Sequence, residues 1–318
     1  MAVTLAQAAT ISQNDLQRGV LEVFVQESPV LDRLPLLSIQ GNAYAYNQES
    51  TLPGVAFRLV NEAYTESTGA FNQATESLVI LGGDADVDRF IVQTRGNLND
   101  QRAEQTALKV KAASYKFQDH FFNGDVTVDT KGFDGLKKRL TGAQVIPAAT
   151  NGLAVSGSQN IAMAFLDQLD QLLAAVPGIN SANGAIYANS TILPRLRSAA
   201  RWAGGFDSVR EDITGKRVLT YNGISILDPG DNLAGTKILP QTETQGTATG
   251  TTSSIYAVKF GGSEADRAVT GLTNGGVMVD DLGLLQSQPV YRTRIEFYCG
   301  LAVFGGKAAA RLTGVLAT

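Results

Sequence analysis

The side chains best suited to chemistry in this sequence are few, and they stand apart. His120 is the sole histidine and follows Asp119. Such a pair can pass a proton, but catalysis would also need a nucleophile and a third group orienting the base, and no motif marks either. A histidine near the carboxyl end of a helix also suits the helix dipole with no reaction involved, and His120 reads that way. Asp84, Asp86 and Asp88 alternate after Gly82-Gly83, so on a strand they line one face. The spacing loosely allows calcium, yet the glycine and terminal glutamate of a calcium-binding loop are missing. A solvated strand edge, or salt bridges to arginines of a neighbouring chain, fits better. The glycine pairs at 82–83, 204–205, 261–262, 275–276 and 305–306 lack a Gly-Lys-Ser/Thr ending and the strand–GxGxxG–helix context, so they read as turns and strand corners. Lys137-Lys138-Arg139 has the charge to touch phosphates, but a solvated basic turn is the simpler reading. No catalytic, cofactor-binding or metal-ligating residue is assigned, and the expectation is that the chain is not an enzyme.

Composition narrows the classes further. At 318 residues the chain is long for a single core, and two lobes are expected. Apolar residues make up 44% and charged residues 18%, the balance of a folded, water-soluble protein. With 26 basic and 30 acidic residues the net charge is −4, which excludes the broad basic face that sequence-specific reading of nucleic acid requires. Enclosing nucleic acid without adhering to it remains compatible. Cys299 stands alone, so neither an intrachain disulfide nor a cysteine metal cluster can form, and a reducing cytoplasm is expected. The first residues lack the basic region and apolar core of a secretion signal, and no apolar run is long enough to span a membrane.

The elements that would position these residues have an unusual order. Leu16, Val20, Val23 and Phe24 fall at helical spacing, and Pro29 and Pro35 then stop regular structure. Val30, Leu31 and Leu34 make the intervening segment an extended strap, expected to lie across a neighbouring surface. From Gly41 to Ser77 the chain is polar and alternating: Tyr44 and Tyr46, then Val55, Phe57 and Leu59, with a turn at Pro53-Gly54. This predicts a long two-stranded hairpin, which is marginal alone in water and must be buried on a partner. Strands are expected at 77–81 and 87–92. A helix is then expected from Asn97 to Phe122, its stripe running Ala103, Ala107, Val110, Ser114, Phe117, Phe121. A helix over 158–175 with Ile161, Phe165, Leu169, Leu172 and Val176 on one face, a buried strand at 184–188, and a helix capped by Asn189-Ser-Thr running to Arg201 make a mixed α+β lobe. That lobe continues through Val218 to Leu227. Residues 241–254, rich in threonine, serine and glutamine, read as a surface loop. In the last strand Tyr291, Thr293, Ile295, Phe297, Cys299, Leu301 and Val303 share one parity, and Arg292, Arg294 and Glu296 share the other.

In this order the parts resemble the tailed-phage major capsid proteins, with the Hong Kong 97-type capsid fold that encapsulin shells share. Short stretches carry the likeness: Ser28-Pro-Val-Leu-Asp-Arg-Leu-Pro35, Phe122-Asn-Gly-Asp125, Phe133-Asp-Gly-Leu136 and Ala185-Ile-Tyr-Ala-Asn-Ser-Thr191. Gly215-Lys-Arg-Val-Leu219, Tyr221-Asn-Gly-Ile224 and Tyr256-Ala-Val-Lys-Phe-Gly-Gly262 add to it. The resemblance implies an α+β fold made of an N-terminal arm (1–40), an extended loop hairpin (41–77), a peripheral domain with a long spine helix (78–135 plus 288–318) and an axial domain (136–287). It also implies a structural subunit that self-assembles through pentamers and hexamers into an icosahedral head around double-stranded DNA. The virion is then its location, and a host bacterial cytoplasm its place of assembly.

The partners implied are copies of the chain itself, a portal, a separate scaffolding protein, a cement protein, and packaged DNA held by non-specific contact. No cofactor and no membrane are implied. Some family members cross-link through a lysine on the extended loop, but residues 41–77 contain Arg58 and no lysine, so that route is closed. The strap begins close to Met1, so scaffolding is expected from a separate protein. Arg33, Tyr46, Phe57, Arg58, Glu62, Tyr64 and Asp88 are expected at contacts between subunits, with Arg33 and Arg58 pairing acids such as Glu62 or Asp88. An encapsulin-type shell around an enzyme is the alternative with the same fold. A hydrolase with residues 41–77 as a lid is the alternative from another class, and the scarcity of histidine and the lack of a nucleophile motif speak against it.

Overall fold

The computed structural model describes residues 3–4, 28–95, 101–202, 210–211 and 217–317. The expected helix at Leu16 to Phe24 and the pair Gly204-Gly205 lie outside them. In chain order the elements are β1 (Val3–Thr4), β2 (Pro35–Ser38), β3 (Ala43–Thr51), β4 (Ala70–Ser77), β5 (Val79–Asp88), α1 (Arg89–Arg95), α2 (Gln101–Asn123) and α3 (Leu136–Arg139). There follow β6 (Val145–Pro147), β7 (Leu153–Ala154), α4 (Gln159–Ala174), β8 (Gly184–Tyr187), α5 (Ile192–Trp202), β9 (Arg210–Glu211), β10 (Arg217–Tyr221) and β11 (Ile224–Leu227). The chain closes with β12 (Glu243–Gln245), β13 (Ala248–Lys259), β14 (Val269–Leu284), β15 (Val290–Val303) and β16 (Ala309–Leu316).

One sheet has the order β1-β2-β14-β15-β5, and a larger one runs β6-β16-β13-β8-β11-β10-β9 with β7 and β12 attached. The hairpin β3-β4 pairs with neither. Each sheet is the centre of one lobe, with β14 in the smaller sheet and β16 in the larger.

The larger sheet is covered on both faces, because successive side chains point to opposite sides. Ile186, Ala188, Ile255 and Ala257 share a core with Phe165, Leu169 and Leu172 of α4 and with Ile192, Leu196 and Ala199 of α5. The residues between them, Ala185, Tyr187, Tyr256 and Val258, face the end of α2 and the strap residues Val30, Leu31 and Leu34. Phe122 is fully buried there, its ring 5.2 Å from that of Tyr187 and 5.3 Å from that of Tyr256. The helix then stops in a close fit. A Cβ on Gly124 would come within 2.3 Å of the Phe133 carbonyl, and one on Gly135 within 2.4 Å of the His120 carbonyl. That crowding is a physical reason for glycine in both of the stretches that flank this turn.

Several expectations are corrected. The strap lies across its own chain: the Tyr187 hydroxyl donates to the Pro29 carbonyl at 3.3 Å, and buried Ser28 bonds Gln118 of α2. β5 continues through Gly82-Gly83, where a Cβ on Gly82 would meet the Ile295 carbonyl at 2.2 Å, and the segment after Asp88 is helical. In α2 the buried stripe starts at Thr106 and Val110, while Ala103 and Ala107 are exposed. Its first turn is instead held by Arg102, which bonds Asp281 at 2.6 Å and stacks on Tyr291. Residues 241–254 are not a loop but the hairpin β12-β13, turned at Gly246. β-Branched threonines suit a strand. Two buried hydroxyls find partners, with Thr252 donating to the Glu243 carbonyl at 2.8 Å and Arg311 donating to Ser254 Oγ at 2.9 Å, while Ser253 Oγ is buried without one.

Phe122 joins the helix to the larger sheet, so Phe122→Ala leaves a cavity at the junction of the lobes. A loss of about 3–5 kcal/mol is expected, read from the denaturant midpoint of the dissociated chain. A loss below about 1 kcal/mol would show that this contact does not hold the lobes together.

Candidate assembly surfaces

The hairpin β3-β4 is anchored at its base and bare at its tip. At the base Tyr46 is buried, its ring edge-on to Phe304 at 4.9 Å, and its hydroxyl lies 3.4 Å from Glu76 Oε1 and 3.3 Å from the Val303 carbonyl. Glu76 accepts in turn from both terminal nitrogens of Arg139 in α3, one at 2.7 Å. Burial, aided by the Glu76 charge, pushes the Tyr46 hydroxyl up to about 12. Burial opposes the charge on Arg139, but its hydrogen bonds and attraction to Glu76 outweigh this and raise its value. A bidentate, partly buried pair of this kind fixes direction as well as proximity. It ties the hairpin to the turn that follows the spine helix.

Beyond the strands, residues 52–69 are irregular, so the turn expected at Pro53-Gly54 is replaced by a broad tip. Polar bonds alone shape it. Ser67 donates to the Gly54 carbonyl at 3.0 Å, and the Leu59 amide donates to Glu62 Oε2 at 2.9 Å. Arg58 bonds the Glu62 carbonyl at 3.3 Å and lies over the Tyr64 ring at 5.1 Å. Leu52, Val55, Phe57, Leu59, Val60 and Tyr64 are all exposed, Val55 at 95% and Phe57 at 108%. Exposed apolar side chains gathered in one segment of a hairpin tip mark an interaction site.

The residues expected at subunit contacts therefore separate into two groups. Phe57, Arg58, Glu62 and Tyr64 come together at the tip. Arg33, Tyr46 and Asp88 are engaged within their own chain. Arg33 donates to the Gly184 carbonyl at 3.3 Å and to Ser225 Oγ at 3.0 Å, and Asp88 accepts from the Phe90 amide at 2.7 Å as the cap of α1. Arg58 meets the carbonyl of Glu62 and not its carboxylate.

The other charged clusters also close on themselves. Asp84 pairs with Arg294 at 2.8 Å and Asp86 with Arg292 at 2.6 Å across the β5-β15 register, so these arginines belong to the same chain, not a neighbour. Hydrogen bonds from these arginines, against slight burial, hold both carboxyls below the usual range. Lys137, Lys138 and Arg139 face Glu243, Asp125 and Glu76. His120 lies 3.3 Å from Asp129, with no nucleophile in the arrangement. Among the described residues no group of three or more His, Cys, Asp or Glu is placed to hold a metal, and no helix is long and apolar enough to cross a membrane. The Glu76–Arg139 anchor was missed in the sequence, since its partners are far apart in the chain and only the fold joins them.

Removing the arginine alone leaves Glu76 partly buried without its partner. For Arg139→Met we expect amides of β3 and β4 to exchange faster by roughly a hundredfold, the equivalent of about 3 kcal/mol, while those of β15 keep their rates. Equal acceleration in both would show that the pair supports the whole lobe and not the hairpin.

Residues 12–160 match the model of the family described as Major capsid protein GP7. No curated protein matches. Among solved structures, the encapsulin of the holo-SrpI complex from Synechococcus elongatus superposes with a TM-score of 0.62 at 18% identity, covering 89% of this chain and 86% of that one. The capsid of the native GTA particle gives 0.62 at 14% identity over 91% and 90%, and Mycobacterium phage Bobi gives 0.60 at 14% over 90% and 89%. The likeness covers about nine tenths of the chain, which therefore has the Hong Kong 97-type capsid fold.

Proposed function

We propose that the chain is the major capsid protein of a tailed-phage-type head, a structural subunit that performs no chemistry. It assembles through pentamers and hexamers into an icosahedral shell around double-stranded DNA, in a host bacterial cytoplasm, and remains in the virion. The observation that carries this is the anchored hairpin with an exposed apolar tip. Laid over a neighbour, such an arm brings the buried area of each subunit into the obligate range of roughly 2,000–5,000 Å². Every subunit is then held by several others, so modest contacts add up to a stable shell. The tip carries no lysine, so the contact is non-covalent, and a cement protein is a reasonable reinforcement. Portal and separate scaffolding proteins complete the set of partners, and the net charge of −4 keeps packaged DNA from adhering beyond non-specific contact. In this reading the lobe around the spine helix is peripheral, and the lobe carrying α4 and α5 is axial.

The likeness to an encapsulin supports a second reading, a shell enclosing an enzyme cargo. The match of residues 12–160 to a major capsid protein family favours the first. The two differ in what the shell encloses and not in how the chain associates.

The test compares the chain, expressed alone and with a scaffolding protein, with a variant carrying Val55→Ser, Phe57→Ser and Leu59→Ser. By light scattering and negative-stain electron microscopy the unmodified chain should form shells or capsomer rings. The variant should remain folded but dissociated, because the changed side chains have no contacts of their own to lose. An unmodified chain that stays monomeric with scaffold supplied would refute the shell. A variant that assembles normally would refute the role of the tip.

A further inference from the structure

Helices α4 and α5 lie side by side on one face of the larger sheet, and the faces they turn outward carry opposite charge. α5 contains Arg195, Arg197 and Arg201 and no acidic residue, whereas α4 contains Asp167 and Asp170 and no basic residue. Ile192, Leu196 and Ala199 set the inner face of α5. Arg197 and Arg201, four positions apart, stand together on the opposite face, with Trp202 beside them half exposed. On α4 the inner face is Ala162, Phe165, Leu169 and Leu172, so Met163 and Asp167, again four apart, face outward with Asp170 a turn beyond. α4 covers β7 and β16 towards one end of the sheet, and α5 makes the crossover between the parallel strands β8 and β11. Tyr221 of β10, towards the other end of the sheet order, also reaches α4, so the two helices share one side of the sheet and their outward faces look the same way.

Asp170 is already engaged, accepting from the Tyr221 hydroxyl at 2.7 Å. Among the described residues, Arg195, Arg197, Arg201 and Asp167 have no ion-pair partner in their own chain. Arginine, tryptophan and methionine are also the residues that protein interfaces favour.

We propose that α5 of one copy docks on α4 of the next, with Arg197 and Arg201 facing Asp167 and Trp202 lying on Met163. Because both faces look away from the same side of the sheet, a two-fold axis that brings α5 onto the α4 of a second copy also brings α4 onto its α5, an isologous contact. This rests on the shell reading above and names a contact that reading leaves open. Nucleic acid is the weaker occupant for the basic face. Three arginines neutralise about three phosphates, a small share of what non-specific binders use. The complementary acidic face, by contrast, is present on every copy.

The test is charge reversal followed by charge exchange in the full chain. The variant R197E/R201E should raise the concentration needed for assembly at least about tenfold, since like charges then meet across the contact. Adding D167R to the same chain should restore assembly, which also rules out misfolding as the cause of the loss. Assembly of R197E/R201E equal to that of the unmodified chain would overturn the proposal and leave the shell reading intact. Loss that D167R does not repair would overturn the pairing with α4. Normal assembly with weaker retention of a random-sequence DNA duplex would give the basic face to nucleic acid. An unmodified chain that never assembles with scaffold supplied would overturn both readings.

Discussion

A two-stranded hairpin cannot cover its own apolar side chains, and the rest of this structure follows from that limit. β3 and β4 pair from Ala43–Ser77 to Thr51–Ala70 with one irregularity between Glu49 and Thr51, yet the tip beyond them buries none of Leu52, Val55, Phe57, Leu59 or Val60. An exposed surface of that kind marks an interaction site. For the cover to be the same in every copy, the arm must leave the body in a fixed direction. The Glu76–Arg139 pair and the packing of Tyr46 on Phe304 supply that direction, and they do so where strand β4, the turn after the spine helix and the end of β15 converge.

The body behind the arm is built for stiffness. The end of α2 and the strap lie on one face of the larger sheet and two helices on the other, so tilting one lobe against the other would open a core containing Phe121, Phe122, Tyr187 and Tyr256. Ser28, through Gln118, and Arg33, through the Gly184 carbonyl and Ser225 Oγ, pin the strap to both lobes. Paired carboxylates and arginines on β5 and β15 likewise close the outer face of the smaller sheet. A rigid unit with one projecting arm is a sensible geometry for a subunit whose neighbours must meet at repeatable angles.

Much of this was legible in the residues because periodicity reports burial directly. The parity of Tyr291 to Val303, the inner faces of α4 and α5, and the buried strand at 184–187 all follow from alternation or helical spacing. The order of elements was enough to suggest the architecture. What failed were places where composition and fold disagree. The polar run at 241–254 resembles a loop, but inside the sheet the Glu243 carbonyl and Arg311 bond the hydroxyls of Thr252 and Ser254. Ala103 and Ala107 continue the stripe of α2 in sequence, yet both are exposed. Asp84 and Asp86 appeared free for a neighbour because their arginine partners lie about two hundred residues on, a distance that no local pattern spans. Of the expected contact residues, the four at the tip share one surface. Arg33, Tyr46 and Asp88 bond within their own chain, and for Arg33 and Tyr46 those partners lie too far along the sequence for a local pattern to reveal.

The most direct test of the central claim is an electron cryomicroscopy reconstruction of the assembled particle at side-chain resolution. Residues 52–69 should lie on an adjacent copy, with Phe57 and Val55 covered by it and the Glu76–Arg139 pair intact at the hairpin base. Closed particles in which the tip stands free in solvent, or folds back on its own chain, would contradict the account.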